Sequence, residues 1–168
     1  MKRYIILLLT AVSALTLQAQ GLRFATFSYE QVLQAMPDYV QALQNLSQLR
    51  AQYDAETKRT EDEFNVKYEE FLEVQASLAP TIRNKRQMEL QEMMGRGITF
   101  KQEAKRLLQQ AENDALSPVK ARLAAAIRKI GAEQGYAFIL NTDGNTVPYI
   151  NTALGEDITD TLKKTLSE

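Results

Sequence analysis

The chain has 168 residues, is nearly balanced at 20 Lys and Arg against 21 Asp and Glu, and contains no Cys, His or Trp. Those absences exclude thiol and imidazole nucleophiles, His-based general bases, disulfides and the usual zinc sites. A net charge of −1 gives no basis for a general polyanion binder, so no nucleic-acid partner is expected.

Lys2 and Arg3 precede an apolar run from Tyr4 to Leu17, and Ala19 supplies a small residue at its exit. Residues 1–19 therefore read as a secretory signal peptide cleaved near Ala19. The run is short for a membrane span, and no Cys is present to carry a lipid anchor. Removing the leader takes the bases from 20 to 18 against 21 acids, a net of −3.

Leu22 to Phe27 alternates and is rich in aromatic residues, which predicts a strand. Ser28 opens a short helix, with Gln31 three residues on to complete a capping box. Val32, Leu33 and Met36 give that helix an apolar side. Pro37 ends it and stands where a much longer helix begins.

Residues 37–134 are expected to be helical almost throughout, with one break at Ser77-Leu78-Ala79-Pro80-Thr81. From Asp38 to Ala79 there is no Gly or Pro, and good helix formers dominate. Apolar residues recur at steps of three and four, as in Leu43, Leu46, Tyr53, Phe64, Phe71 and Leu78. The return carries its own stripe, including Met93, Gly97, Phe100, Ala104, Leu107, Ala111, Val119, Leu123 and Ile130. Both stripes are narrow, like a coiled-coil seam. Two antiparallel helices of roughly 60 and 80 Å follow, with a tip near residues 77–82. Residues 38–79 hold nine acids and four bases, net −5, and residues 81–134 hold eleven bases and six acids, net +5. Opposite charge favours this pairing, although each exposed pair contributes only roughly 0–1 kcal/mol.

Asp54 to Glu63 is almost wholly polar and cannot hold a dry seam. Met88, Met93 and Met94 cluster ahead of Gly95-Arg96-Gly97, which reads either as a flexing point or as a packing adjustment where two helices approach closely. Arg83, Lys85 and Arg86 lie just past the turn. Ser117-Pro118 predicts a kink in the return helix, and Gly131 and Gly135 mark its exit.

Tyr136 to Leu140 is apolar on both faces and reads as a strand buried on both sides. Asn141 to Asn145 is expected to be a hairpin turn, leading to an edge strand over Thr146 to Ile150 because of Pro148. Asn141, Asp143 and Asn145 loosely resemble a calcium loop, but the Gly offset is wrong and Thr152 stands where a bidentate Glu is needed. Asp157 and Asp160 open a last helix. The expected fold is α+β: a long antiparallel helical hairpin on a small base made from residues 20–36 and 135–168. That base is too small to close a core. Phe24, Phe27, Tyr136, Phe138, Ile139 and Leu140 are therefore candidate oligomerisation residues, several copies pooling strands. No phosphate-binding GxxxxGK motif, cofactor site or catalytic cleft is apparent, so an enzyme is not expected.

With these segments in order, the chain resembles the Skp/OmpH family of periplasmic chaperones. The resemblance rests on the opening strand Phe24 to Phe27 followed by Ser28-Tyr29-Glu30-Gln31-Val32-Leu33, and on the long charged arm. Leu116-Ser117-Pro118-Val119, Gly135-Tyr136-Ala137-Phe138-Ile139-Leu140 and Asp157-Ile158-Thr159-Asp160 complete it. It implies a periplasmic homotrimer with a β-barrel body and three helical tentacles, which enclose unfolded outer-membrane proteins without ATP. The chain departs from strongly basic members in being mildly acidic, so at most weak contact with a membrane surface is expected.

Apolar patches set among charges can hold an unfolded chain by many weak contacts. Candidate client contacts are Phe64, Tyr68, Phe71 and Leu72 on the outgoing helix and Met93, Met94, Ile98 and Phe100 on the return, with Arg83, Lys85 and Arg86 at the opening. The competing reading is an exported coiled-coil scaffold or adaptor that joins two envelope components.

Overall fold

The computed structural model describes residues 22–145 and 147–167. The signal peptide expected over residues 1–19 lies outside them. The described chain divides into two compact units, one of residues up to Pro37 together with Lys120 onward, the other Asp38–Val119.

The first unit is built on a three-stranded sheet of order β2-β1-β3, with β1 (Phe24–Phe27) in the middle, β2 at Phe138–Asn141 and β3 at Gly155–Asp157. Both neighbours run parallel to β1: Phe24 lies opposite Phe138 on one side and Gly155 on the other. The expected hairpin is therefore absent. Successive strands β2 and β3 flank β1, and Asp143–Asn145 forms a single tight turn with Gly144 in the left-handed region at φ 68°. The segment 147–150 carries no strand. Pro148 has no amide hydrogen to give a ladder, and the third strand is instead the polar Gly155–Asp157. Its glycine is needed there, because a Cβ at 155 would stand 2.3 Å from the Phe24 ring.

Ser28 caps helix α1 (Tyr29–Ala35), its hydroxyl accepting from the Gln31 amide at 3.2 Å. Only half of the expected capping box forms. The Ser28 amide donates instead to Thr159 Oγ1 at 3.1 Å, and the Gln31 side chain accepts from Lys163 Nζ at 3.0 Å. The two remaining free amides of the first turn are also met from outside the helix. Tyr29 N donates to Asn141 Oδ1 at 3.2 Å and Glu30 N to Asp143 Oδ2 at 2.7 Å. Orphan N–H groups of a helix start are thereby satisfied, and the β2 loop is fixed to α1. Contact with the Glu30 amide, the largest influence, holds the Asp143 carboxyl below the ordinary carboxylate range.

Helix α4 (Thr159–Leu166) packs on α1. Beneath the sheet these helices bury Ala25, Phe27, Val32, Leu33 and Met36 with Ile158, Leu162 and Leu166. Leu123, Ala126 and Ile130, from the last turns of the long helix α3 (Pro80–Gln134), belong to the same unit and are buried as well. That helix leaves through Gly135 at φ 67°, with the Tyr136 amide bonded to the Gly131 carbonyl at 3.0 Å, a Schellman closure. Packing is close at Gly131: a Cβ there would meet Ile139 Cδ1 at 3.2 Å.

The second unit consists of α2 (Pro37–Val74) from Asp38 onward, paired with the first forty residues of α3. At 38 and 55 residues the full helices span roughly 57 and 82 Å. Gln75 to Leu78 makes the turn between them, and Pro80 occupies the first position of α3, where its missing amide hydrogen costs nothing. The helix continues through Pro118. Tyr53 lies against Phe100 at 6.1 Å between centroids, Thr60 faces Gly97, and Glu61 is bridged by Lys101. Residues 50–57 lie beside 101–112 whereas residues 59–74 lie beside 86–96, which fixes the pair as antiparallel. A Cβ on Gly97 would only touch Thr60 Cγ2 at 3.9 Å, and one on Gly95 would meet nothing within 4 Å, so close approach does not demand glycine at either place.

Most ion pairs on these helices run within one helix, such as Arg59 with Glu56 at 2.6 Å and Arg106 with Glu103 at 2.6 Å. In both, the arginine's hydrogen bond is the main cause that holds the carboxylate below its ordinary range. The opposite charge of the two helices thus serves each helix's own surface as well as the seam.

Candidate functional site

Two kinds of apolar surface remain uncovered in the single chain. The first is one face of the sheet. In a parallel sheet, residues in register share a face, so Phe24 and Thr26 stand beside Phe138 and Leu140. The Phe24 and Phe138 rings stack 5.4 Å apart at 11°. Phe138 is nonetheless 45% exposed, and Leu140 is half-exposed. The strand expected to be buried on both sides is open on this one. Phe27 points the other way, into the chain's own core beside Tyr29, and Ile139 packs toward Gly131. Of the six candidate oligomerisation residues, the open face therefore carries Phe24, Phe138 and Leu140.

Tyr136 sits at the margin. The Arg23 guanidinium lies 5.2 Å from its ring centroid, and its hydroxyl is hydrogen-bonded to Glu156. Burial first, then that carboxylate, pushes the phenol above its ordinary range, with Arg23 opposing. Sequence periodicity gave no sign of two other exposed apolar residues in this unit. Tyr149 at 80% and Leu154 at 71% belong to the irregular segment between the tight turn and β3.

The second surface is on the hairpin, and it divides the candidate client contacts. Phe71 and Met93 face the seam, Phe71 buried and Met93 half-buried. Phe100 is half-buried against Tyr53, which makes it part of the zipper. Phe64 stacks on Tyr68 at 5.8 Å and 8°. Tyr68, Leu72, Met94 and Ile98 are all roughly half open to solvent. Counting about 100° per residue from the seam-facing Lys67 and Leu90, the stripe Phe64, Tyr68, Leu72 and the stripe Met94, Ile98 turn away in the same rotational sense. In antiparallel helices that brings both out on one side of the pair. Val66, also exposed, falls on the other side, and the exposed Met88 points away from the seam.

The three basic candidates are spread around α3. Arg83 is half-buried, whereas Lys85 and Arg86 both reach Glu89, at 3.8 and 3.2 Å. No cluster of three or more metal-ligating side chains occurs among the described residues. No helix among them is long and apolar enough to cross a membrane.

A long paired-helix hairpin together with a small parallel sheet that joins strands from both sides of it in sequence defines an α+β protein of coiled-coil-like build. The chain belongs to the OmpH-like family of outer membrane proteins, whose sequence model matches residues 23–166, and so to a family of chaperones. Its fold matches the crystal structure of an OmpH-like outer membrane chaperone from Caulobacter crescentus CB15 with a TM-score of 0.72, at 19% identity over 86% of this chain and 83% of the other. No curated protein matches the sequence.

Proposed function

We propose that the protein is an ATP-independent periplasmic holdase that binds unfolded outer-membrane proteins and keeps them from aggregating on their way across the envelope. Three copies pool their open sheet faces through Phe24, Phe138 and Leu140, and the helical hairpins of the trimer enclose the client. The observation that carries this reading is the apolar strip of Phe64, Tyr68, Leu72, Met94 and Ile98, which the two helices turn to one side of a highly charged hairpin. Each contact is weak, and their number supplies avidity while leaving every one of them quickly reversible. Reversibility is what a carrier without an energy source needs, because the client must leave again unaided. Family membership supports the chaperone class, and the half-open Phe138 supports self-association.

The test is dilution of a denatured outer-membrane β-barrel into nucleotide-free buffer, followed by light scattering. Stoichiometric protein should suppress aggregation, and a Leu72→Ser, Met94→Ser, Ile98→Ser variant should suppress it several-fold less at unchanged oligomeric mass. Undiminished suppression by that variant would remove the strip from the mechanism. A wild-type protein that suppresses nothing would end the holdase reading and favour a folded envelope partner instead.

A further inference from the structure

Met36, Met88, Met93 and Met94 follow the expected leader, and they stand in very different surroundings. Met36 is fully buried in the sheet unit, whereas Met88 and Met94 on α3 are 67% and 52% exposed. Met93 is half-buried and lies in the seam with Phe71 and Leu90. All but Met36 thus fall within residues 88–94, in the outer part of the hairpin. Met fills irregular gaps well, which accounts for Met93. It does not account for Met88 or Met94, whose side chains stand largely in water and where Leu has much the same helix propensity. Space is open beside Met94, since a Cβ on the following Gly95 would meet nothing within 4 Å. The chain has no Cys and no Trp, so these thioethers are the only sulfur it offers to an oxidant.

We propose that Met94 is a reversible oxidation site, at which a peroxide or hypochlorous acid loosens the protein's hold on its clients. The inference rests on the holdase reading and adds a regulator to that surface. Met94 is the one sulfur in the strip that it shares with Phe64, Tyr68, Leu72 and Ile98. Its sulfur lone pair attacks an oxygen of the oxidant. A sulfur–oxygen bond forms as the O–O or Cl–O bond breaks. Hydrogen peroxide leaves as water, hypochlorous acid as chloride and a proton. The sulfur gives up two electrons and the oxidant takes them. The product is a polar, chiral sulfoxide, whose oxygen finds no donor against an apolar client, so burying it there is unfavourable. Met88 is oxidised alongside, but it points away from the seam and lies off the strip, so its sulfoxide leaves the holding surface as it was. Met36 is sheltered, and the sheet unit keeps its core while the hairpin responds. A methionine sulfoxide reductase returns the thioether, which makes the change a switch and not only damage.

The test treats the protein with graded hydrogen peroxide and reads oxygen uptake at each Met by peptide mass spectrometry. Met88 and Met94 should be oxidised first, Met93 later and Met36 last. In light scattering with a denatured barrel, the oxidised protein should suppress aggregation several-fold less than its untreated sample, at unchanged oligomeric mass. Methionine sulfoxide reductase should restore suppression to within about twofold. Variants are each compared with their own untreated sample. Met94→Leu should lose less than about twofold on oxidation, because the strip then holds no sulfur. Met88→Leu should lose as much as the unaltered protein. Oxidation of Met36 as early as Met94, full suppression once Met94 carries its oxygen, or an equal loss in Met94→Leu overturns the proposal. A protein that suppresses nothing before treatment ends the holdase reading and this regulation with it, and the untreated sample alone tells that failure from a failed switch.

Discussion

The two units of this chain are held together in different ways. The five largest fully buried side chains, Val32, Met36, Leu123, Ile158 and Leu162, all belong to the unit that contains the sheet. The hairpin buries Ala42, Phe71, Leu90, Ala104, Leu116 and Val119, about one side chain per several turns of a very long seam. It relies on helix propensity and on pairs such as Lys58 with Asp62 that repeat along one helix. Such pairs each contribute roughly 0.3–0.5 kcal/mol. The sheet unit is therefore a packed core, and the hairpin is a pair of helices that open locally at modest cost.

Substitutions sharpen this contrast in a definite order. Leu162→Ala removes a fully buried side chain from the core between α1 and α4. It should destabilise the sheet unit by about 2–5 kcal/mol, read in chemical denaturation, while the hairpin's helical signal survives to higher denaturant. Simultaneous loss of both signals would show that the units do not unfold separately. Gly155→Ala places a methyl group inside the Phe24 ring and should cost about 1–3 kcal/mol as overpacking, with a shift in the stacked Phe24–Phe138 pair.

Asp143 gives a smaller effect with a defined pH dependence. Its carboxyl is depressed by the Glu30 amide, so the folded state holds its proton less firmly than the unfolded chain. The stabilisation is fully present above the ordinary carboxylate range and is lost as pH falls through the depressed folded value. Asp143→Asn should therefore lower melting temperature at neutral pH and flatten its decline in acid. An unchanged acid limb would remove this carboxylate from the pH response. Lys101→Ala, at the other extreme, breaks an exposed bridge to Glu61 on the hairpin and should change stability by only roughly 0–1 kcal/mol. A larger loss would mean that the seam depends on its cross-helix charges.

Local signals in the sequence were sufficient for the hairpin. Thirty-eight residues without an internal Gly or Pro, then Pro80 at the head of the next helix, leave the backbone few alternatives. The capping Ser28, the bend at Pro37 and the exit at Gly135 were legible for the same reason, being effects of a few neighbouring atoms. The sheet was not. Gly155-Glu156-Asp157 has no strand composition, and it pairs through its backbone with a partner 131 positions earlier. Asn141 and Asp143 look like turn residues in sequence and are turn residues, yet their side chains serve the first helix, across more than 110 residues. At the candidate site, helical period identified the apolar residues but could not say which face the seam and which face water. Phe71 and Tyr68, three apart, part company on that point.

The central position of β1 bears on how the protein is made. The first strand to appear during synthesis has both its partners in the last thirty-one residues, since Ala25 is matched by Ile139 and Glu156. The hairpin, by contrast, closes outward from the turn at Gln75 to Leu78 and needs nothing beyond its own two helices, and contacts nearer in sequence form sooner. A polypeptide that stopped after the second long helix would thus have its paired helices and no sheet. Only when Gly155–Asp157 has followed does the sheet close, which makes the order of folding run from the hairpin to the sheet.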